Sequence, residues 1–117
     1  VSRAAAGRAG EDEAARYLEA RGMRLVARNF RTRRGEIDLI VLDGETLVFV
    51  EVKAWSVFSS GELERSLDGR KIDRIVETAK IFLLRNRQYS CMSVRFDVVF
   101  IGGGDLRHLA SAFTERV

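Results

Sequence analysis

The chain has 117 residues, 46% hydrophobic and 32% charged. That is enough for one domain with its own core, and a balance that excludes a disordered chain. No run approaches the roughly 18 consecutive apolar residues of a membrane span, and the absence of proline excludes Pro-rich linkers and docking peptides. The net charge of +3 is uneven, with nine arginines against four acids in residues 1–35, which suits a polyanionic partner or a solvated basic face.

In chain order, residues 1–9 read as a flexible lead-in to a single domain spanning 1–117. Residues 10–21 read as a helix. Glu11, Ala14, Ala15 and Leu18 fall on one face, the acids at 11–13 suit the N-terminal dipole, and Gly22 stops it. Residues 24–30 alternate loosely as a strand. Residues 36–42 and 47–53 are rich in Val, Ile, Leu and Phe, and Asp43-Gly44 between them signals a hairpin. Residues 54–62, with Ser56, Ser59, Ser60 and Gly61, read as a loop. Residues 64–87 carry a helical apolar stripe, Ile72, Ile75, Val76, Ala79, Phe82 and Leu83, with Gly69 a weak point near its start. A strand at 94–101, a turn at Gly102-Gly103-Gly104-Asp105 and a short strand at 106–110 complete the chain. This order predicts an α/β fold, one mixed sheet flanked by helices.

The chemistry concentrates in Gly35-Glu36-Ile37-Asp38-Leu39-Ile40 and Val48-Phe49-Val50-Glu51-Val52-Lys53. Alternation along each strand places Glu36, Asp38 and Ile40 on one face, and Phe49, Glu51 and Lys53 on one face. A loop of residues 43–46 pairs Leu42 with Leu47 and sets Asp38 opposite Glu51; a loop of residues 43–44 sets them diagonally. Either register puts the carboxylates within about 5–8 Å of each other. Opposed acids need a neutraliser. Lys53 balances one, a divalent cation both, and hard oxygen ligands suit Mg²⁺ or Mn²⁺. The Val52 carbonyl is a further candidate ligand. Lys53 is placed to orient or deprotonate an attacking water, or to offset charge on a phosphorane-like transition state. Glu11, on the apolar face of the first helix, is either a fourth member of the group or a helix-terminal acid satisfied by backbone amides. The competing expectation is a salt bridge from Lys53 on a solvated face.

These stretches resemble the PD-(D/E)xK nuclease superfamily, and more closely the bacterial YraN-like family, which is related to archaeal Holliday-junction resolvases. The match runs from about Gly10 to Phe113. It includes Gly10-Glu11, Ala14, Tyr17-Leu18, Gly22, Arg28-Asn29-Phe30-Arg31, the two stretches above, Gly61, Lys71, Ala79, Arg95-Phe96-Asp97-Val98-Val99 and Ala112-Phe113. The resemblance implies a restriction-endonuclease-like core and an endonuclease dependent on Mg²⁺ or Mn²⁺. It implies hydrolysis of DNA, with branched DNA as a candidate substrate. Asp38 and Glu51 would bind metal, Glu11 would be an accessory acid, and Lys53 the base or stabiliser. A homodimer would match a symmetric junction. Members commonly carry Arg two residues after the motif Lys; here Ala54-Trp55 follows. That departure motivates an alternative, a nucleic-acid-binding module without catalysis; a structural domain with a salt-bridge patch is a third reading.

Arg31, Arg33 and Arg34 are the expected phosphate contacts. Trp55 is suited to stacking on a base or to packing over the loop. Lys71 is a phosphate contact or, beside Arg70 and Arg74, part of a solvated helix face. Glu36 is a further ligand or a strand-edge acid. Asp97 is expected to pair with Arg95, and His108 to lie apart from the site. Cys91 lacks a general base and is no expected nucleophile. As the sole cysteine it excludes an internal disulfide, so a reducing, cytoplasmic setting is expected, with no membrane partner.

Overall fold

The computed structural model describes residues 3–54 and 68–114. Two helices, α1 (Arg3–Ala20) and α2 (Gly69–Arg85), flank a sheet of β1 (Arg24–Arg31), β2 (Glu36–Asp43), β3 (Thr46–Ala54), β4 (Ser93–Gly102) and β5 (Asp105–Phe113). A short 3₁₀ turn, Arg87–Tyr89, follows α2. The strands lie side by side in chain order; β3 and β4 run parallel and the other neighbours antiparallel. This is the α/β mixed sheet the element order predicts.

Alternation in β2 and β3 sends one apolar set to each helix. Leu39, Val41, Val48 and Val50 pack against Ala14, Ala15 and Leu18 of α1. Ile40, Leu47 and Phe49 pack with Phe96 against Ile75, Val76, Ala79 and Phe82 of α2. Phe49 lies at the centre of the second layer, stacked on Phe96 and edge-on to Phe82. A buried aromatic of this kind contributes on the order of 2–3 kcal/mol.

The boundaries differ from expectation in places that have local causes. Helix α1 begins at Arg3, through the helix-favouring Arg3-Ala4-Ala5-Ala6. Helix α2 begins at Gly69, not at 64, because Asp68 is extended and caps it, accepting the Lys71 N–H at 2.9 Å. The β2–β3 and β4–β5 turns are two residues long, and the β1–β2 turn, 32–35, is four. Gly44 (φ 61°) leads the Gly44-Glu45 turn, so Asp43 and Thr46 pair, and the Leu42–Leu47 register holds. Gly103 and Gly104 both have positive φ, as a type I′ turn requires. The stretch 55–67, with Trp55 and Gly61, lies outside the described residues.

Candidate active site

The site forms where β2 and β3 stop pairing. Their ladder runs from Asp43–Thr46 to Leu39–Val50 and ends there. One step further the register sets Asp38 opposite Glu51. In a regular ladder the two-residue turn makes alternate pairs hydrogen-bonded, which would send the Val52 N–H to the Ile37 carbonyl. The Val52 N–H instead donates to Asp38 Oδ2 at 2.8 Å. The carboxylate thus replaces the ladder, and its second oxygen is left for Glu51 and whatever binds between them. The Val52 carbonyl lies on the same strand edge as its N–H, toward β2. Past Leu39, β2 is paired only to β1. There the alternation breaks: Ile37 packs with the α2 layer, although period two assigns it to the α1 side.

Glu51 receives two cations. Lys71 Nζ lies 3.2 Å and Lys53 Nζ 3.6 Å from Glu51 Oε1. Lys71 is therefore not part of a solvated helix face: α2 packs so that its first turn points back at β3, and Asp68 fixes that turn. The side chains are 13% exposed for Glu51 and 29% for each lysine, so solvent screens these pairs only partly.

Burial pushes the Asp38 carboxyl up to about 7, helped by the charge of Glu51 and, less, of Glu11 and Glu36; the Val52 N–H opposes the rise. Burial also pushes Glu51 up, against Lys71 and a hydrogen bond with Asp38. Burial is the main cause of both shifts, and the two lysines pair with Glu51, so Asp38 has no ion-pair partner of its own among the described residues. That deficit, and the all-oxygen donors, fit a divalent cation of the Mg²⁺ or Mn²⁺ type held by Asp38, Glu51 and the Val52 carbonyl. Among the described residues no three His, Cys, Asp or Glu side chains are grouped to hold a metal; Glu11 acts on Asp38 through its charge.

Glu36 pairs with Arg31 at 3.2 Å, and Arg34 with Glu77 of α2 at 3.3 Å. Gly35 lets the turn between β1 and β2 lie against α2: a Cβ there would stand 3.2 Å from Thr78 Oγ1 and 3.3 Å from Arg74 Cβ.

Asp97 belongs to a different cluster. It is 1% exposed and held by Arg95 Nε and Nη2 (2.9 and 3.1 Å), by His108 Nε2 (2.7 Å) and by the Ser111 N–H (3.0 Å). His108 Nδ1 meets the Tyr17 hydroxyl, and Arg95 reaches on to Asp43. The expected Arg95–Asp97 pair is present, and His108 belongs to it. Cys91 is exposed.

A family model described as "Uncharacterised protein family UPF0102" matches residues 10–101. A UPF0102 protein of Persephonella marina is 41% identical over 107 residues, 92% of this chain and 91% of its own. One from Dechloromonas aromatica is 47% identical over 110 residues, 94% and 89% of the two chains. UPF0102 protein HEAR0176 of Herminiimonas arsenicoxydans is 41% identical over 112 residues, 96% and 89%.

Proposed function

The chain belongs to the uncharacterised protein family UPF0102, and we propose that it is a metal-dependent nuclease on a restriction-endonuclease-like (PD-(D/E)xK) core, hydrolysing DNA phosphodiester bonds, with branched DNA as a candidate substrate. The observation that carries this reading is the facing pair Asp38 and Glu51, both pushed up by burial, with two lysines on one carboxylate. A structural salt-bridge patch has no need of two acids to one side of a pair of lysines in a half-buried recess.

Asp38, Glu51 and the Val52 carbonyl would hold Mg²⁺ or Mn²⁺, which when bound lowers the pKa of water and offsets phosphate charge. Asp38 is oriented for that role by the Val52 N–H, and Glu51 by Lys71. Lys53 stands beside Glu51, placed to orient the attacking water and to stabilise charge on the phosphate oxygens as the new P–O bond forms and the sugar oxygen leaves. Glu11 adds negative charge that favours cation binding. Arg31, Arg33 and Arg34 would contact the flanking backbone. The replacement of the usual Arg after the motif by Ala54-Trp55 favours a second reading, a binding module that no longer cuts.

The test is a cleavage assay on labelled four-way junction, flap, duplex and single-stranded DNA with Mg²⁺ or Mn²⁺ and an EDTA control. Cutting that needs metal and falls by about 10²-fold or more in Asp38→Asn and Lys53→Ala, with binding largely kept, is the expected result. Salt-sensitive binding without cutting would select the binding module. Neither binding nor cutting would refute both.

A further inference from the structure

Two recesses open beside the carboxylates and share a wall. One, of about 440 Å³, is lined by Glu51, Lys71, Arg70 and Arg74 together with Gly35 and Glu36. The next, of about 380 Å³, is lined by Arg70 and Arg74 again, by Arg33 and Arg34, and by the acids Asp73 and Glu77. Together they make one groove, from Glu51 along the first turns of α2 to the turn between β1 and β2. Arg70 and Arg74 are one helical turn apart, about 6 Å along the axis, and lie on one face of the helix.

In formal charge the lining is balanced, with Arg33, Arg34, Arg70, Lys71 and Arg74 against Glu36, Glu51, Asp68, Asp73 and Glu77, so what favours an anion is which of these groups are already engaged. Of its acids, Glu36 pairs with Arg31, Glu77 with Arg34, Glu51 with Lys53 and Lys71, and Asp68 caps the Lys71 N–H, while Asp73 has no ion-pair partner among the described residues. Among the described residues Arg33, Arg70 and Arg74 have no ion-pair partner, whereas the basic side chains nearest the carboxylates do. The walls are also fixed to each other, because Gly35 lets the turn sit on Arg74 and Thr78 and Arg34 ties it to Glu77. Three unpaired guanidinium groups on a rigid track leading from a carboxylate pair suit a chain of phosphates. They suit a small substrate poorly, since it would need a closed pocket.

We propose that this groove is the path of one DNA strand, with the phosphate to be cut at Asp38 and Glu51 and the adjoining phosphates held by Arg70, Arg74 and Arg33. The inference rests on the nuclease reading for its direction and adds Arg70 and Arg74 of α2 to the phosphate contacts expected from the sequence. Arg70 and Arg74 are positioning residues here, since they touch the flanking backbone and not the reacting atoms.

The test is binding without turnover. Labelled single-stranded, duplex and four-way DNA is titrated with the full chain in EDTA, from about 50 to 200 mM salt. Arg70→Ala/Arg74→Ala is compared with Arg24→Ala/Arg87→Ala, which removes the same charge from other surfaces; alanine keeps the Arg74 Cβ against which Gly35 rests. The expected result is a loss of about tenfold or more for the groove variant. Its slope of log affinity against log salt should be shallower by about 1.4 for a single strand. The control variant should stay within about twofold of the unsubstituted chain. Equal losses in both variants, no loss in either, or no binding by the unsubstituted chain would overturn the groove. The nuclease reading fails separately. Groove-dependent binding with no cutting in Mg²⁺ or Mn²⁺ leaves the track and removes catalysis; cutting and binding indifferent to Arg70 and Arg74 do the reverse.

Discussion

Asp38 links the fold to its chemistry by the way it is held. One oxygen completes the edge of β3 through the Val52 N–H, and burial with the charge of Glu51 pushes the carboxyl up to about 7. A folded-state pKa above the ordinary 3.8 means that folding favours the protonated form. Without metal, stability is therefore greatest below about pH 4 as far as Asp38 is concerned, and it declines as pH rises through about 7. The difference amounts to about 4 kcal/mol at most, with Glu51 acting in the same direction. Melting in EDTA at a series of pH values should show that decline. Asp38→Asn should flatten most of it, and Mg²⁺ or Mn²⁺ should restore stability at neutral pH in the unsubstituted chain only. A flat or rising metal-free profile would refute the account of this pair.

At the scale of elements, the site depends on two local devices outside the motif. The first is the early end of the β2–β3 ladder, which frees the Val52 edge for Asp38. The second is the Asp68 cap, which sets where α2 begins and so aims Lys71 at Glu51. Asp68→Ala should lower stability by about 1 kcal/mol in urea unfolding. It should also weaken any metal-dependent activity through misplacement of Lys71, an effect Asp68→Asn should largely rescue because asparagine caps as well. Loss of stability with unchanged activity would mean that the cap only stabilises the helix.

Across the whole molecule, the Asp97 cluster does the complementary work. It joins Tyr17 of α1, Asp43 of β2, Arg95 and Asp97 of β4 and His108 of β5 in one chain of polar contacts. Burial pushes the Asp97 carboxyl up, but hydrogen bonds from His108, Arg95 and Ser111 outweigh it and hold it below its ordinary value. Removing it would leave Arg95 with Asp43 alone and take the Asp97 partner from His108 Nε2 and the Ser111 N–H. Asp97→Ala should therefore cost about 3–5 kcal/mol in urea unfolding, with no change in metal dependence per folded molecule. A loss under about 1 kcal/mol would show that the cluster is replaceable by solvent.

Much of this was legible along the chain. Periodicity is local, so Glu36–Asp43 and Thr46–Ala54 read as strands, but the spacing left two hairpin registers open, and the Gly44-Glu45 turn takes the one that pairs Leu42 with Leu47. Asp38 and Glu51 could be paired on paper because strand alternation carries a side chain's position across a short turn without further information. Family membership likewise needed only ordered residues. What lies between distant segments was not legible. Arg70, Lys71 and Arg74 look like any charged helix face until packing turns the first turn of α2 toward β3. His108 meets Asp97 across the β4–β5 hairpin, and Tyr17 joins them only because α1 packs over the sheet. The break in alternation at Ile37 has no local signal, since it follows from a ladder that ends on β3. Local propensity and spacing determine which elements form; only tertiary packing decides which charges face each other, because burial and Coulomb forces act through space and not along the sequence.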